Sequence, residues 1–160
     1  MDHCDILVDA ALRPVDSARR VLKDIGVDAL NTMPDGEHSS IAWLIWHAAR
    51  QQDAQIADMS GAPEVWQAEG WAHRFGLDRP TEATGFGDSP VEIMKVRVAD
   101  PALLSGYLEA VVARVIDYLV GLSPTDLDDV VDKGWNPPVT RGVRIVSTID
   151  DAVAHVAQAA

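Results

Sequence analysis

Cysteine is almost absent from this 160-residue sequence: Cys4 stands alone. A lone cysteine excludes an internal disulfide and fits a reducing compartment. Basic residues are scarce as well. Lysine and arginine together number 13 against 25 acidic residues, for a formal net charge of −12. Such a surface repels phosphate backbones and argues against nucleic acid as a partner. Long hydrophobic runs are also missing. None approaches the roughly 18 apolar residues of a membrane span, although 48% of the chain is hydrophobic and can fill a core. The first segment, MDHCDILVDAALRP, is acidic where a secretion signal would be basic. The expected compartment is the cytoplasm, and the expected organisation is one domain over residues 1–160.

What is present is helical periodicity. Over residues 5–25, Ile6, Leu7, Ala10, Ala11, Val15, Ala18, Val21, Leu22 and Ile25 form one broad stripe at 3.6-residue spacing. Pro14 should kink this helix or mark its effective start, and Gly26 should end it. A second helix is expected from an N-cap at Ser39 or Ser40 to about Ser60, where Gly61 and Pro63 stop it. A third begins at Asp100-Pro101, an N-cap followed by a proline at the first helical position, and runs to Gly121. A short helical turn follows Ser123-Pro124, and the last helix begins between Thr140 and Ser147 and continues to the end. No segment reads as a strand. Residues 61–100 form a long, glycine- and proline-punctuated connection of the kind that wraps a surface or serves function. Four helices with one long crossover between the second and third predict an all-α four-helix bundle.

One stretch raises a chemical question. HSSIAWLIWHAARQQD, residues 38–53, places His47 amid aliphatic residues and two tryptophans. On a helix, His47 falls at the edge of the stripe made by Ile41, Leu44, Ile45, Ala48, Ala49, Ile56 and Met59. It is either a core histidine with satisfied ring nitrogens or a metal ligand in a dry, rigid place. In the last helix, Asp151 and His155 stand at i, i+4, the spacing by which one helix offers two ligands to one ion. Chance alone supplies about as many acid–histidine pairs as the sequence contains. The other, Glu69/His73, lies beside Gly70 in the connection and reads as a decoy. An ordinary ion pair is the competing reading for both.

The segments SIAWLIWHAARQQDAQIADMSG, VWQAEGWAHRFGL and DDAVAHVAQAA, in that order, resemble the DinB-like superfamily. They are most similar to its branch of mycothiol-dependent maleylpyruvate isomerases and mycothiol S-transferases. The resemblance implies a bundle of up-down-down-up course with a divalent metal at one end. Three histidines are common ligands in this superfamily, and the mycothiol isomerase branch has a carboxylate in place of the first histidine of the last helix. Carried onto this chain, the ligands are His47, Asp151 and His155, with Gln158 at the family's glutamine position. The implied cofactors are a divalent cation, zinc or nickel, and mycothiol.

The function expected is a metal-dependent transferase or isomerase acting through a low-molecular-weight thiol that the metal activates. Its partners are that thiol and a small-molecule electrophile, with homodimerisation left open. A metal-dependent hydrolase and a non-enzymatic small-ligand-binding protein are the alternatives. Among other residues, Cys4 lacks a basic neighbour that would activate it. His3 reads as solvated, and His38 as a residue of the turn. Trp66, Trp71 and Trp135 read as core and lid packing, while Trp43, Trp46 or Trp71 could line a pocket. Arg74 and Arg79 could meet an anionic substrate, and DLDDVVD reads as an exposed acidic face.

Overall fold

A computed structural model describes residues 1–160. In chain order the helices are α1 (His3–Leu22), α2 (Val27–Asn31), α3 (Ile41–Ser60), α4 (Val65–Ala68), α5 (Trp71–Phe75), α6 (Pro90–Ile93), α7 (Pro101–Val120) and α8 (Arg141–Gln158). Two short strands, β1 (Val130–Asp132) and β2 (Val139–Thr140), lie just before α8. The protein is mostly helical. Helices α1, α3, α7 and α8 are the long ones; α1 and α3 each pack against both α7 and α8.

The caps explain where these helices begin. The Ser40 hydroxyl accepts from the Trp43 amide, Asp100 from Ala102 with Pro101 behind it, and Thr140 from Val143. Gly61, in the left-handed conformation, ends α3. Helix α1 excludes Pro14 as its start, one of the two readings of that proline, and ends short of Gly26. Asp2 and Asp5 form a capping box that starts it well before Pro14, which lies inside the helix. It ends at Leu22, before Asp24 takes a left-handed φ of 57°. The shared core contains Ala11, Val15 and Ala18 of α1, Ile45 and Ala49 of α3, Leu108 and Val111 of α7, and Ala152 and Val156 of α8. Alanines at these positions let the helix backbones approach closely.

The long connection is fastened to the helices by buried polar groups. Asp53 of α3 accepts from the amides of Val65 (2.8 Å) and Trp66 (2.7 Å) and from the Tyr107 hydroxyl (2.7 Å). Arg50, fully buried, donates to Glu64 at 2.5 Å and to the Ala83 carbonyl at 3.1 Å. Burial pushes the Asp53 carboxyl up, and the hydrogen bonds to its ionised form oppose that shift. At the far end, Asn31 pairs with both the amide and the carbonyl of Val98, each at 2.8 Å. The connection is therefore fixed to α3 over its first part and to α2 at its far end.

The antiparallel pair β1–β2 corrects the strand-free expectation. DLDDVVD is exposed or half-exposed throughout, as expected, and Asp126, Asp129 and Asp132 in it also have partners. Asp126 caps a 3₁₀ turn at Ser123, Asp129 pairs with Arg141 at 3.1 Å, and Asp132 pairs with Arg144 at 2.7 Å. These aspartates tie the hairpin to the first turn of α8.

Candidate metal centre

His47 sits in the second turn of α3 and is 4% exposed. The Trp43 ring, one turn earlier, stacks on it with centroids 4.5 Å apart and planes at 16°. From the connection, the Thr84 carbonyl lies 2.6 Å from Nδ1. A carbonyl can only accept, so Nδ1 carries the proton and Nε2 keeps the lone pair. Burial holds the His47 pKa below its ordinary value, with the nearby His155 adding to the effect; the Thr84 carbonyl and the carboxylates of Asp151 and Asp88 act against it.

Asp151 and His155 project from adjacent turns of α8 toward the same place. Their nearest atoms, Oδ1 and Nε2, are 3.4 Å apart. The closeness of His155 holds the Asp151 carboxyl below its ordinary range, and the same carboxylate raises the His155 pKa against the effect of burial. The rings of His47 and His155 meet edge to face at 4.6 Å. One ligand-type atom from each of the three residues lies within 4.8 Å of the others. Helices α3 and α8 thus bring together the three residues that the sequence singled out.

Do these groups suit a divalent cation? Two neutral imidazoles and a carboxylate are a common donor set for one, and three donors leave a coordination position free. Ligand atoms around a tetrahedral ion of this kind stand roughly 3.3–3.5 Å apart, so the cluster has to contract modestly. Two of its buried atoms, Asp151 Oδ2 and His155 Nδ1, have no hydrogen-bond partner. Seven other buried side-chain atoms of the chain are also unpartnered, so the convergence of the three donors is the stronger observation. The Thr84 carbonyl behind His47 is the outer hydrogen bond that metal-ligating histidines usually make. The residues fit the group.

The cluster lies in a cleft of about 1000 Å³. Its wall continues each ligand row by whole helical turns: Gln51 and Gln55 follow His47 on α3, and Ser147 precedes Asp151 on α8. The Asp132–Arg144 ion pair and Val139 come from the hairpin side. Two large aromatic residues stand at the cleft with unusual exposure, Phe86 at 84% and Trp135 at 68%. Sequence reasoning did not single out Gln51, Gln55, Ser147, Arg144 or Phe86 for this wall. The i+4 rows starting from the proposed ligands contained the first three.

Other candidates lie elsewhere. Arg79 is committed to Asp88 by two bonds of 2.6 and 2.7 Å, both side chains being buried, and Arg74 stacks on Trp71 with its guanidinium 3.4 Å from the ring centroid. Neither faces the cleft, because each is already neutralised or covered. Trp43 lines the cleft; Trp46 and Trp71 do not, and Trp135, expected as core or lid packing, does. Cys4 points its Sγ at the Leu119 carbonyl, 3.7 Å away. His3 is half-buried rather than solvated, with its Nε2 covered and unpartnered, while His38 is exposed in the turn. Gly70, in a left-handed conformation, separates Glu69 from His73, and Glu69 reaches Arg114 instead, at 4.0 Å.

No curated protein matches this sequence. Among solved structures, the chain is similar to a conserved protein from Enterococcus faecalis, with 40% sequence identity and a TM-score of 0.93. The match covers 99% of this chain and 94% of the other. The family model described as DinB superfamily matches residues 15–159, nearly the whole chain and all three clustered residues, and on that match the protein belongs to the DinB superfamily.

Proposed function

We propose that this protein binds one divalent cation, zinc or nickel, through His47 Nε2, Asp151 and His155, and that it transfers or isomerises a small electrophile with the help of a low-molecular-weight thiol. Mycothiol is the thiol proposed, from the likeness to the mycothiol-dependent branch. The fold proposed is a four-helix bundle of up-down-down-up course; the packing of α1 and α3 against both α7 and α8 supports it. The observation that carries the reading is the convergence of three donors from two helices at a cleft, with two of their buried atoms unpartnered. A bound cation supplies the positive charge that keeps a thiol ionised near neutral pH.

The chain's own residues complete the site. His47 is held neutral and oriented by burial and by the Thr84 carbonyl. Asp151 adds negative charge that offsets part of the cation's. Gln51, Gln55 and Ser147 offer uncharged hydrogen-bonding groups along the cleft, and Phe86 and Trp135 offer apolar surface beside it. A specific observation favours the thiol over water as nucleophile. Hydrolysis calls for a free general base, yet Asp88 is engaged by Arg79 and Trp43, and Asp132 by Arg144. A thiol starts far more acidic than water, so at a cation it would ionise near neutral pH by releasing its proton to solvent, without such a base. The absence of an activated cysteine fits the same scheme, and a reducing cytoplasm is the compartment proposed for it.

Conjugation assays test the proposal. Protein loaded with zinc or nickel should accelerate transfer of mycothiol to a bimane or chloronitrobenzene electrophile, and His155→Ala should lose the acceleration. A metal-loaded protein that turns over esters or amides, but no thiol substrate, would place it with the hydrolases.

A further inference from the structure

The geometry points to Gly85 as a positioning residue that lets the connection close on His47 and select the nitrogen His47 presents to the cleft. This inference rests on the metal-site reading above. The imidazole is held from two sides. Behind it, the Thr84 carbonyl accepts a hydrogen bond from the Nδ1–H group, with Nδ1 and the oxygen 2.6 Å apart. Against one face stacks Trp43, whose Nε1 donates to Asp88 at 2.8 Å, and Asp88 is in turn gripped by Arg79. Both restraints come from residues 79–88, and Gly85 sits between them.

A side chain at Gly85 is excluded twice. Its φ is +92°, a conformation that residues with a Cβ rarely adopt. A Cβ would also fall 2.6 Å from His47 Nδ1, 3.2 Å from His47 Cγ and 3.1 Å from the Trp46 ring. Both rings are buried and packed, so neither can yield as the end of a flexible side chain would. Either the Thr84 carbonyl leaves Nδ1 or the imidazole turns. Gly87, two residues on, supplies the contrast: its φ is +75°, and a Cβ there would meet nothing within 4 Å. Backbone strain is common to the two glycines, whereas contact with His47 belongs to Gly85. Glycine at this position therefore fixes Nδ1 as donor and Nε2 as lone pair before a cation arrives, sparing the cation the ordering of its ligand.

Nitrogen-15 NMR of the imidazoles, at about pH 8 where ordinary histidines are neutral, reads the tautomer in metal-free protein, and calorimetric titration with Zn(II) reads affinity. Wild-type His47 should be protonated at Nδ1. Gly85→Ala should lose that bias and weaken Zn(II) binding by about 10- to 100-fold, the usual effect of an outer hydrogen bond. Gly87→Ala should keep both tautomer and affinity. The inference is overturned if wild-type His47 is protonated at Nε2, if Gly85→Ala matches wild type, or if Gly87→Ala shows the same tautomer and affinity changes as Gly85→Ala. Should Gly85→Ala fail to fold by circular dichroism, the wild-type tautomer decides. If wild type takes up no Zn(II), the metal reading fails, while the imidazole spectra of the two variants still decide whether Gly85 positions His47.

Discussion

Two acid–histidine pairs in this chain share the same i, i+4 spacing and have opposite fates. Asp151 and His155 lie in one uninterrupted helix, so the spacing becomes a shared face, and α3 brings a third donor to it. Between Glu69 and His73 the backbone turns left-handed at Gly70, which ends one short helix and starts another. Both side chains are then exposed, and Glu69 finds Arg114. Spacing places two groups together only where the backbone between them is helical. A pair becomes a candidate site only where a second element completes it and keeps water from satisfying its atoms.

The largest effect should follow from removing either member of the α8 pair. Asp151→Ala or His155→Ala should each weaken divalent-metal binding by at least about 100-fold, beyond the loss of an outer-shell partner, with helical content unchanged. Calorimetric titration checks this, and Glu69→Gln and His73→Ala, measured beside them, should bind as wild type does.

A smaller effect concerns pH in the metal-free protein. The folded pKa of Asp151 is lowered, so its stabilisation is present above the ordinary carboxylate value of about 3.9 and is lost as pH falls through the folded value. The folded pKa of His155 is raised, so its stabilisation is full below about 6.5 and is lost as pH rises through the folded value. The two coexist between those limits. Asp151 is 38% exposed, and solvent screening keeps the pair near 0.5 kcal/mol in order of magnitude. Denaturant titration should therefore show Asp151→Asn destabilising the metal-free protein near pH 5 and hardly at all near pH 9, on the order of that figure. The smallest effect is expected at the other pair: His73→Ala should change stability by less than about 0.5 kcal/mol, as exposed substitutions do.

Much of this was legible in the sequence because local chemistry dictates it. Ser40, Gly61 and Asp100-Pro101 mark the ends of α3 and the start of α7 by capping rules that need no tertiary context. The proposed ligands were legible because helical spacing and the family likeness converged on the same side chains. Contacts that depend on how the irregular connection folds were not legible. Arg79 meets Asp88 only after the connection folds back, and nothing local distinguishes it from a solvated arginine. The β1–β2 pair escaped because strands of three and two residues leave no periodicity to read. Pro14 leaves two readings of α1 open, a kink or a start, and the Asp2–Asp5 capping box excludes only the second. Trp135 does not belong to the core: it stands exposed at the cleft, in a place that the chain's folding back before α8 sets.

The most direct test of the central claim is titration of Zn(II) into metal-free wild type and His47→Ala at neutral pH, with circular dichroism alongside. His47 is the donor that α3 contributes and the one that a core-histidine reading explains without a metal. The account predicts one ion per wild-type chain and a loss of at least about 100-fold in affinity for a still-helical His47→Ala. Wild-type protein that takes up no ion, or a His47→Ala protein that binds as tightly as wild type, would contradict it.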